Sequence, residues 1–171
     1  MKNLITFIAI SLSVLGFSAD AKKKKATTKG KSPMMYIETT YGTIEAEFYP
    51  EDAPKTVARI TELANKKFYD GLTFHRVIPG FVAQGGDPSG NGTGGSGTKL
   101  KAEFNKRKHL EGTLAMARAS DPDSADSQFY ICLGAQPHLD NQYTVFGQVV
   151  KGLDAVKKLK VGDKMTKVYV K

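Results

Sequence analysis

Tryptophan is absent from the 171 residues, cysteine occurs once, and histidine only three times. A single thiol rules out an intramolecular disulfide in any compartment. Cys132 lies in the apolar run FYICL and reads as a buried core thiol. His75, His109 and His138 share no i, i+4 spacing, which removes the helical zinc site. His75 follows Phe74 in a β-type segment and reads as a hydrogen-bonded structural residue. His109, in the basic stretch KRKHLEG, reads as solvated. The nucleophile-elbow pattern fails because Ser96 is followed by Gly97 and Thr98. The three aspartates of DPDSADS read as loop residues rather than paired catalytic carboxylates. No metal site and no cofactor site is therefore expected.

Long apolar runs are missing too, except at the start. Lys2 supplies a positive n-region, Leu4 to Phe17 form an apolar stretch of about 14 residues, and Ala19-Asp20-Ala21 fits the small-x-small cleavage pattern. A membrane-spanning helix needs about 20 such residues. Residues 1–21 are thus expected to be a secretory signal peptide cut before Lys22, and the mature chain a soluble exported protein. Its destination would be the periplasm, or the extracellular space. The formal charge of +8 is lopsided: residues 22–32 hold six lysines and no acid, while residues 33–171 carry eighteen basic against sixteen acidic residues, or +2. The basicity belongs to a disordered Lys-rich tail and not to a folded face, so no nucleic-acid partner is expected. The tail could serve as a solvated spacer or touch an anionic lipid or polymer.

Residues 33–171 suit one domain, with an ordinary 40% hydrophobic and 25% charged composition over the whole chain. MYIETT and GTIEAEFY alternate apolar and polar residues, the period of half-buried strands, with Tyr41-Gly42 as the turn between them. A helix follows, with Asp52 or a neighbour as its cap, Pro54 in its first turn, and Val57, Ile60, Leu63 and Ala64 on one face. LTFHRVI, GFVAQGG, GTLAMA, QFYICL and YTVFGQVV are further β-type segments. A second helix is predicted over Leu153 to Leu159 and a last strand over Thr166 to Val170. Many short strands with two helices predict a mainly β fold, an antiparallel barrel with its ends closed by helices.

Residues 85–98, GGDPSGNGTGGSGT, are too rich in glycine for a strand or helix interior. Gly90, Gly92 and Gly95 satisfy the dinucleotide spacing GxGxxG, but the following TKLKAEF does not open a helix. A calcium loop starting at Asp87 would place Thr98 where a bidentate Glu is needed.

What remains is FHRVIPGFVAQGGD at residues 74–87, where Arg76 and Gln84 stand among apolar neighbours. Taken in order with NGTGG at 91–95, LAMARA at 114–119, SQFYICL at 127–133 and LDNQYTVFGQV at 139–149, it resembles the cyclophilin family over residues 35–171. The resemblance implies an eight-stranded antiparallel barrel closed by two α-helices, with the site on its outer face. It implies a peptidyl-prolyl cis-trans isomerase acting on proline-containing peptides and on unfolded or partly folded exported proteins, working as a monomer. Arg76 matches the family's catalytic arginine. Phe81, Val82, Tyr130 and Leu139 match its proline pocket, and Gln84 and Gln128 the polar positions beside the arginine. Ala117, Arg118 and Ala119 match the strand that meets substrate backbone, and His138 and Tyr143 the rim.

These residue types suit the reaction. Amide resonance sets a rotation barrier of about 18–20 kcal/mol. Twisting the bond frees the nitrogen lone pair, so an arginine donor aimed at it binds the transition state better than the ground state. Neither a nucleophile nor a metal is required. A binding module with little turnover, or a surface protein tethered by its lysine tail, remain the alternatives. Four positions depart from the familiar family pattern. His138 replaces a Trp, Tyr143 a His, Tyr130 a Phe and Arg118 an Asn. Because that Trp chiefly grips cyclosporin, weak cyclosporin binding is expected. The charge of Arg118 would favour acidic residues near proline.

Overall fold

The computed structural model describes residues 32–171. The predicted signal peptide, 1–21, and all of the Lys-rich tail but Ser32 lie outside the described residues. Eight strands and two α-helices follow one another: β1 (Met34–Thr39), β2 (Gly42–Phe48), α1 (Pro54–Asn65), β3 (Arg76–Ile78), β4 (Val82–Gly85), β5 (Thr113–Met116), β6 (Phe129–Cys132), β7 (Val145–Lys151), α2 (Leu153–Lys158) and β8 (Lys167–Val170). The strands form one antiparallel sheet in the order β3-β4-β6-β5-β7-β2-β1-β8. Its two edges are joined just before β3 and β8. There Gly71 N–H donates to Met165 O at 2.7 Å and Met165 N–H to Leu72 O at 2.8 Å. An exposed edge would otherwise present unpaired backbone groups.

Period-two alternation sorts the strand side chains onto two faces. Phe48, Leu114, Phe129, Ile131 and Phe146 point into the main core, together with Val57, Ile60, Leu63 and Ala64 of α1 and Ala155 and Val156 of α2. Their neighbours Val82, Ala115, Tyr130, Cys132 and Val145 form a second, smaller apolar cluster on the other face. The candidate site sits on this second cluster. Cys132 is buried in it, which pushes its thiol up to about 12.

Four local expectations are corrected. The β1–β2 turn is Thr40-Tyr41, one residue earlier than expected, because Gly42 already pairs with Thr39. Gly42 takes the positive φ of +119° that the tight reversal requires. Asp52 does not cap α1; its carboxylate accepts from Arg107 Nε at 2.8 Å instead. The free N–H groups of Lys55 and Thr56 donate to Glu103, 3.1 and 2.9 Å away, a carboxylate nearly fifty residues on in sequence. A negative charge there also suits the helix dipole. Finally, LTFHRVI is not one strand. Its first half pairs with the segment before β8 and its second half with β4, leaving His75 in neither. Both ring nitrogens of His75 are buried without a hydrogen-bond partner among the described residues, contrary to the expectation of a hydrogen-bonded residue. Burial lowers its pKa, more than nearby Asp87 raises it.

Candidate active site

Strand register puts the polar and apolar halves of the site side by side. Arg76 pairs with Gln84, Gln84 with Tyr130, Tyr130 with Ala115, and Ala115 with Val145. Directly opposed residues share a face, so one row across five strands carries all of them outward. Arg76 is exposed and forms no ion pair among the described residues. It extends from the edge strand over the ring of Phe81, 5.4 Å from its centroid.

A hydrogen-bond relay fixes the guanidinium. Gln128 Nε2 donates to the carbonyls of Gly92 and Gly94 at 3.0 and 2.8 Å. A carbonyl only accepts, so the amide of Gln128 has one allowed orientation. Its oxygen then accepts from Gln84 Nε2 at 2.9 Å, which turns the oxygen of Gln84 toward Arg76, 3.3 Å from Nη1. The remaining donors of the fork have no partner among the described residues and lie at the mouth of a small cavity.

That cavity, of about 140 Å³, is lined by Arg76, Phe81, Val82, Gln84, Ala117, Arg118, Tyr130, Leu139 and Tyr143. Phe81 stands on the β3–β4 turn, where Gly80 takes a φ of +73° so the chain can reverse. Leu139 ends the 3-10 turn Pro137–Leu139. A second cavity of about 320 Å³ adjoins it, sharing Gln84, Ala117 and Arg118, and extends past Ala119 and Gln128 to Gly92, Gly94 and Gly95. Nine of the sequence-predicted residues thus meet in the first cavity, and Gln128 lies in the second. His138 lines neither. It is exposed and stacks on Phe81, with ring centroids 5.9 Å apart and planes 17° apart.

Arg118 is more engaged than its exposed-charge reading implied. Nε and Nη2 donate to Gln142 O, and Nη1 to the carbonyls of Ala119 and Ser120. The guanidinium lies 4.7 Å from the ring centroid of Tyr143. Its hydrogen-bond partners among the described residues are all neutral carbonyls, so none of them compensates its charge beside the site.

One residue the sequence misplaced is His109. It is 1% exposed, not solvated. Its N–H and Nδ1 lie 2.9 and 3.1 Å from Asp140 Oδ1, and its Nε2 lies 3.1 Å from Tyr130 Oη. The charges of KRKH suggested water. The loop instead folds down at His109, whose carbonyl accepts from Gln136 N–H at 2.8 Å. A pocket Tyr and an Asp directly after Leu139 were the signal available. The N–H and ring of His109, with Lys108, hold the Asp140 carboxyl down at about 2. Burial lowers the pKa of His109 more than Asp140 raises it, so the ring is neutral. Burial likewise pushes the phenol of Tyr130 up.

A family model described as cyclophilin type peptidyl-prolyl cis-trans isomerase/CLD matches residues 34–171. The chain belongs to the cyclophilin family. This cyclophilin is 54% identical over 129 residues to the peptidyl-prolyl cis-trans isomerase B of Bacillus subtilis, covering 74% of this chain and 90% of the relative. It is 50% identical over 136 residues to a peptidyl-prolyl cis-trans isomerase of Synechococcus elongatus, covering 78% and 93%. A cyclophilin-type isomerase from Cryptosporidium parvum, crystallised in the presence of the dipeptide Ala-Pro, has a TM-score of 0.75 at 28% identity, covering 81% of this chain and 98% of that one. This cyclophilin is therefore a peptidyl-prolyl cis-trans isomerase, the activity its relatives are named for.

Proposed function

We propose that Arg76 catalyses X–Pro rotation by donating to the proline nitrogen as its lone pair is freed, while Phe81, Val82, Tyr130 and Leu139 hold the pyrrolidine ring. The observation that carries this reading is the guanidinium fork, set by Gln84 and Gln128, with free donors at the mouth of an apolar pocket. The contact strengthens only as the amide twists, so it lowers the barrier rather than merely tightening binding. A hydrogen bond from a charged donor contributes about 1.5–3 kcal/mol, or roughly ten- to a hundredfold in rate. Ala117, Arg118 and Ala119 receive the peptide backbone, and Tyr143 and His138 form the rim. The Ala-Pro dipeptide present with the Cryptosporidium relative supports proline-peptide binding here.

The test is a proline-peptide isomerisation assay on the mature domain. Arg76→Ala should lower kcat/KM on the order of a hundredfold without unfolding the protein. Equal rates in two folded proteins would remove Arg76 from the mechanism.

The same reading extends to the cell. The chain acts as a monomer on unfolded or partly folded exported proteins, in the periplasm or outside the cell. Lys2, the run Leu4–Phe17 and Ala19-Asp20-Ala21 support export. A mature protein whose N-terminus is Lys22 would agree with it, and an uncut chain would not. The helices close the ends of the barrel, a reading supported by the faces of α1 and α2 buried in the main core. Cyclosporin binds weakly, because His138 offers a smaller apolar face than an indole.

A further inference from the structure

Asp140, His109 and Tyr130 form a chain of side chains behind the proline pocket, and their polarity can be worked out. Asp140 is held ionised and can only accept, so Nδ1 of His109 carries the proton. The ring is neutral, which leaves Nε2 as an acceptor. The phenolic O–H of Tyr130 therefore donates to Nε2, across 3.1 Å. Tyr130 lines the pocket and is only 4% exposed. Its proton is directed away from the cavity, which then meets an aromatic wall without a donor.

We infer that His109 is a positioning residue of the proline pocket: anchored by Asp140, it takes the phenolic proton of Tyr130 and fixes that ring as the pocket wall. This rests on the pocket reading above. Two further contacts support it. Tyr143, another lining residue, packs edge-on against both His109 and Tyr130, with centroids 6.5 and 5.9 Å apart. Asp140 directly follows Leu139, so one carboxylate ties the His109 loop to the turn that presents Leu139. A phenol left unpaired would call for a water in the space the pyrrolidine ring must fill.

The chain also makes grip depend on pH. A protonated His109 donates from both nitrogens, so Tyr130 must accept and turn its own proton elsewhere. The groups facing His109 are Asp140, Tyr130 and Tyr143, with Lys108 on the other oxygen of Asp140 at 3.0 Å and exposed His138 nearby. Among them only His109 both contacts Tyr130 through a ring nitrogen and can gain a proton as the pH falls.

The experiment measures KM and kcat separately, with a proline tetrapeptide, from pH 5 to 8. Thermal melting checks that each variant is folded. His109→Asn keeps an amide near the Nδ1 position but does not reach Tyr130, and should raise KM about three- to tenfold with kcat little changed. His109→Gln reaches the Nε2 position and should restore most of the wild-type KM. Wild-type KM should rise as the pH falls through the pKa of His109, which burial holds below the ordinary imidazole value, and Tyr130→Phe should remove that rise. In the Tyr130→Phe background, His109→Asn should cost less than it does alone. Additive effects, or a wild-type KM in His109→Asn, would overturn the inference. Should His109→Asn not fold, an unchanged pH profile in Tyr130→Phe overturns it as well. Arg76→Ala run alongside separates the two levels. If it loses turnover while the His109 variants keep their KM, this inference alone fails; if it keeps turnover, the site reading fails.

Discussion

The two cavities that share Gln84, Ala117 and Arg118 are built in opposite ways. In the smaller, Arg76, Val82, Gln84 and Tyr130 stand on paired strands whose backbone is already satisfied by the sheet, and Phe81 and Leu139 come in from turns. The larger is lined on one side by the glycine-rich loop, at Gly92, Gly94 and Gly95. Its glycine-rich loop has no ladder to join, so carboxylates collect its amides. Asp87 accepts from Ser89 N–H at 2.7 Å, Asn91 at 3.1 Å and Gly92 at 2.5 Å. Asp126 accepts from Ser96 N–H at 2.8 Å and Gly97 N–H at 2.9 Å. With the amides turned inward, the carbonyls of Gly92 and Gly94 face Gln128. The glycines are needed for room as well as for conformation. A Cβ on Gly95 would come within 2.6 Å of Asp126 Oδ2. A strand-built pocket can therefore trade side chains with modest loss, whereas a carboxylate-built loop depends on single residues.

Removing one of those carboxylates should have the largest effect. Asp87 is 1% exposed and answers three loop amides. Asp87→Ala leaves them unpaired and should cost about 3 kcal/mol of stability, measured by chemical denaturation. Gln128 would lose its carbonyl partners with the loop, so turnover should fall too. Acid provides a second way to reach the same bonds. Burial alone would push the Asp87 carboxyl up, but the loop N–H groups outweigh it and hold it below the usual carboxylate range. Asp140, at about 2, behaves alike. A carboxyl lowered in the folded state stabilises the protein above its unfolded pKa, about 4, and that contribution is lost as the pH falls through the folded value. Stability should therefore drop below pH 4 and be level above it with respect to these groups. Asp87→Asn should show a shallower acid limb. A parallel limb would mean that the loop is held by something other than this charge.

A smaller effect should follow from cutting the link between the two cavities. Gln128→Leu leaves the pocket wall intact but frees Gln84, and through it the fork of Arg76. Because the fork matters at the transition state, kcat should fall about tenfold, near 1.4 kcal/mol, with KM within about twofold. A rise in KM with kcat unchanged would show that Gln128 serves peptide binding and not the orientation of Arg76.

How much of this was legible in the sequence follows the same division. Alternation marked β1 and β2, and the family motifs named Val82 and Tyr130, because strand geometry makes side-chain direction a property of position. The strand-borne residues of the site could therefore be named by motif and found together in one cavity. Contacts closed by long loops could not be read. Glu103 at the start of α1 lies 47 and 48 residues from its partners, and no local pattern marks it. His109 was misplaced for the same reason. Its charged neighbours predict water, and only the approach of Asp140 from 31 residues away makes burial tolerable. The strand LTFHRVI was read too long because composition cannot show where a chain changes partners. The glycine loop was recognised as irregular, but not as the anchor of the catalytic arginine, since its carbonyls and not its side chains reach Gln128.

The smallest expected effect lies at the pocket rim and tests whether the two regions can be altered separately. His138 touches neither cavity, yet its ring stacks on Phe81, which supports Arg76 from below. His138→Trp would extend that stack with a larger apolar face while leaving the relay through Gln84 and Gln128 untouched. A large apolar ligand such as cyclosporin, spreading beyond the pocket, should gain about 1–2 kcal/mol from the added area, roughly tenfold in affinity. A short proline peptide, seated inside, should keep its kcat/KM within about twofold. Fluorescence titration reads the first, since the introduced indole would be the only one in the chain, and the isomerisation assay reads the second. Tight binding already present in the wild type would show that the histidine stack serves the rim as well as an indole does. A large change in kcat/KM would instead show that Phe81 transmits rim changes to Arg76 by ring contact, beside the hydrogen-bond relay through Gln84 and Gln128.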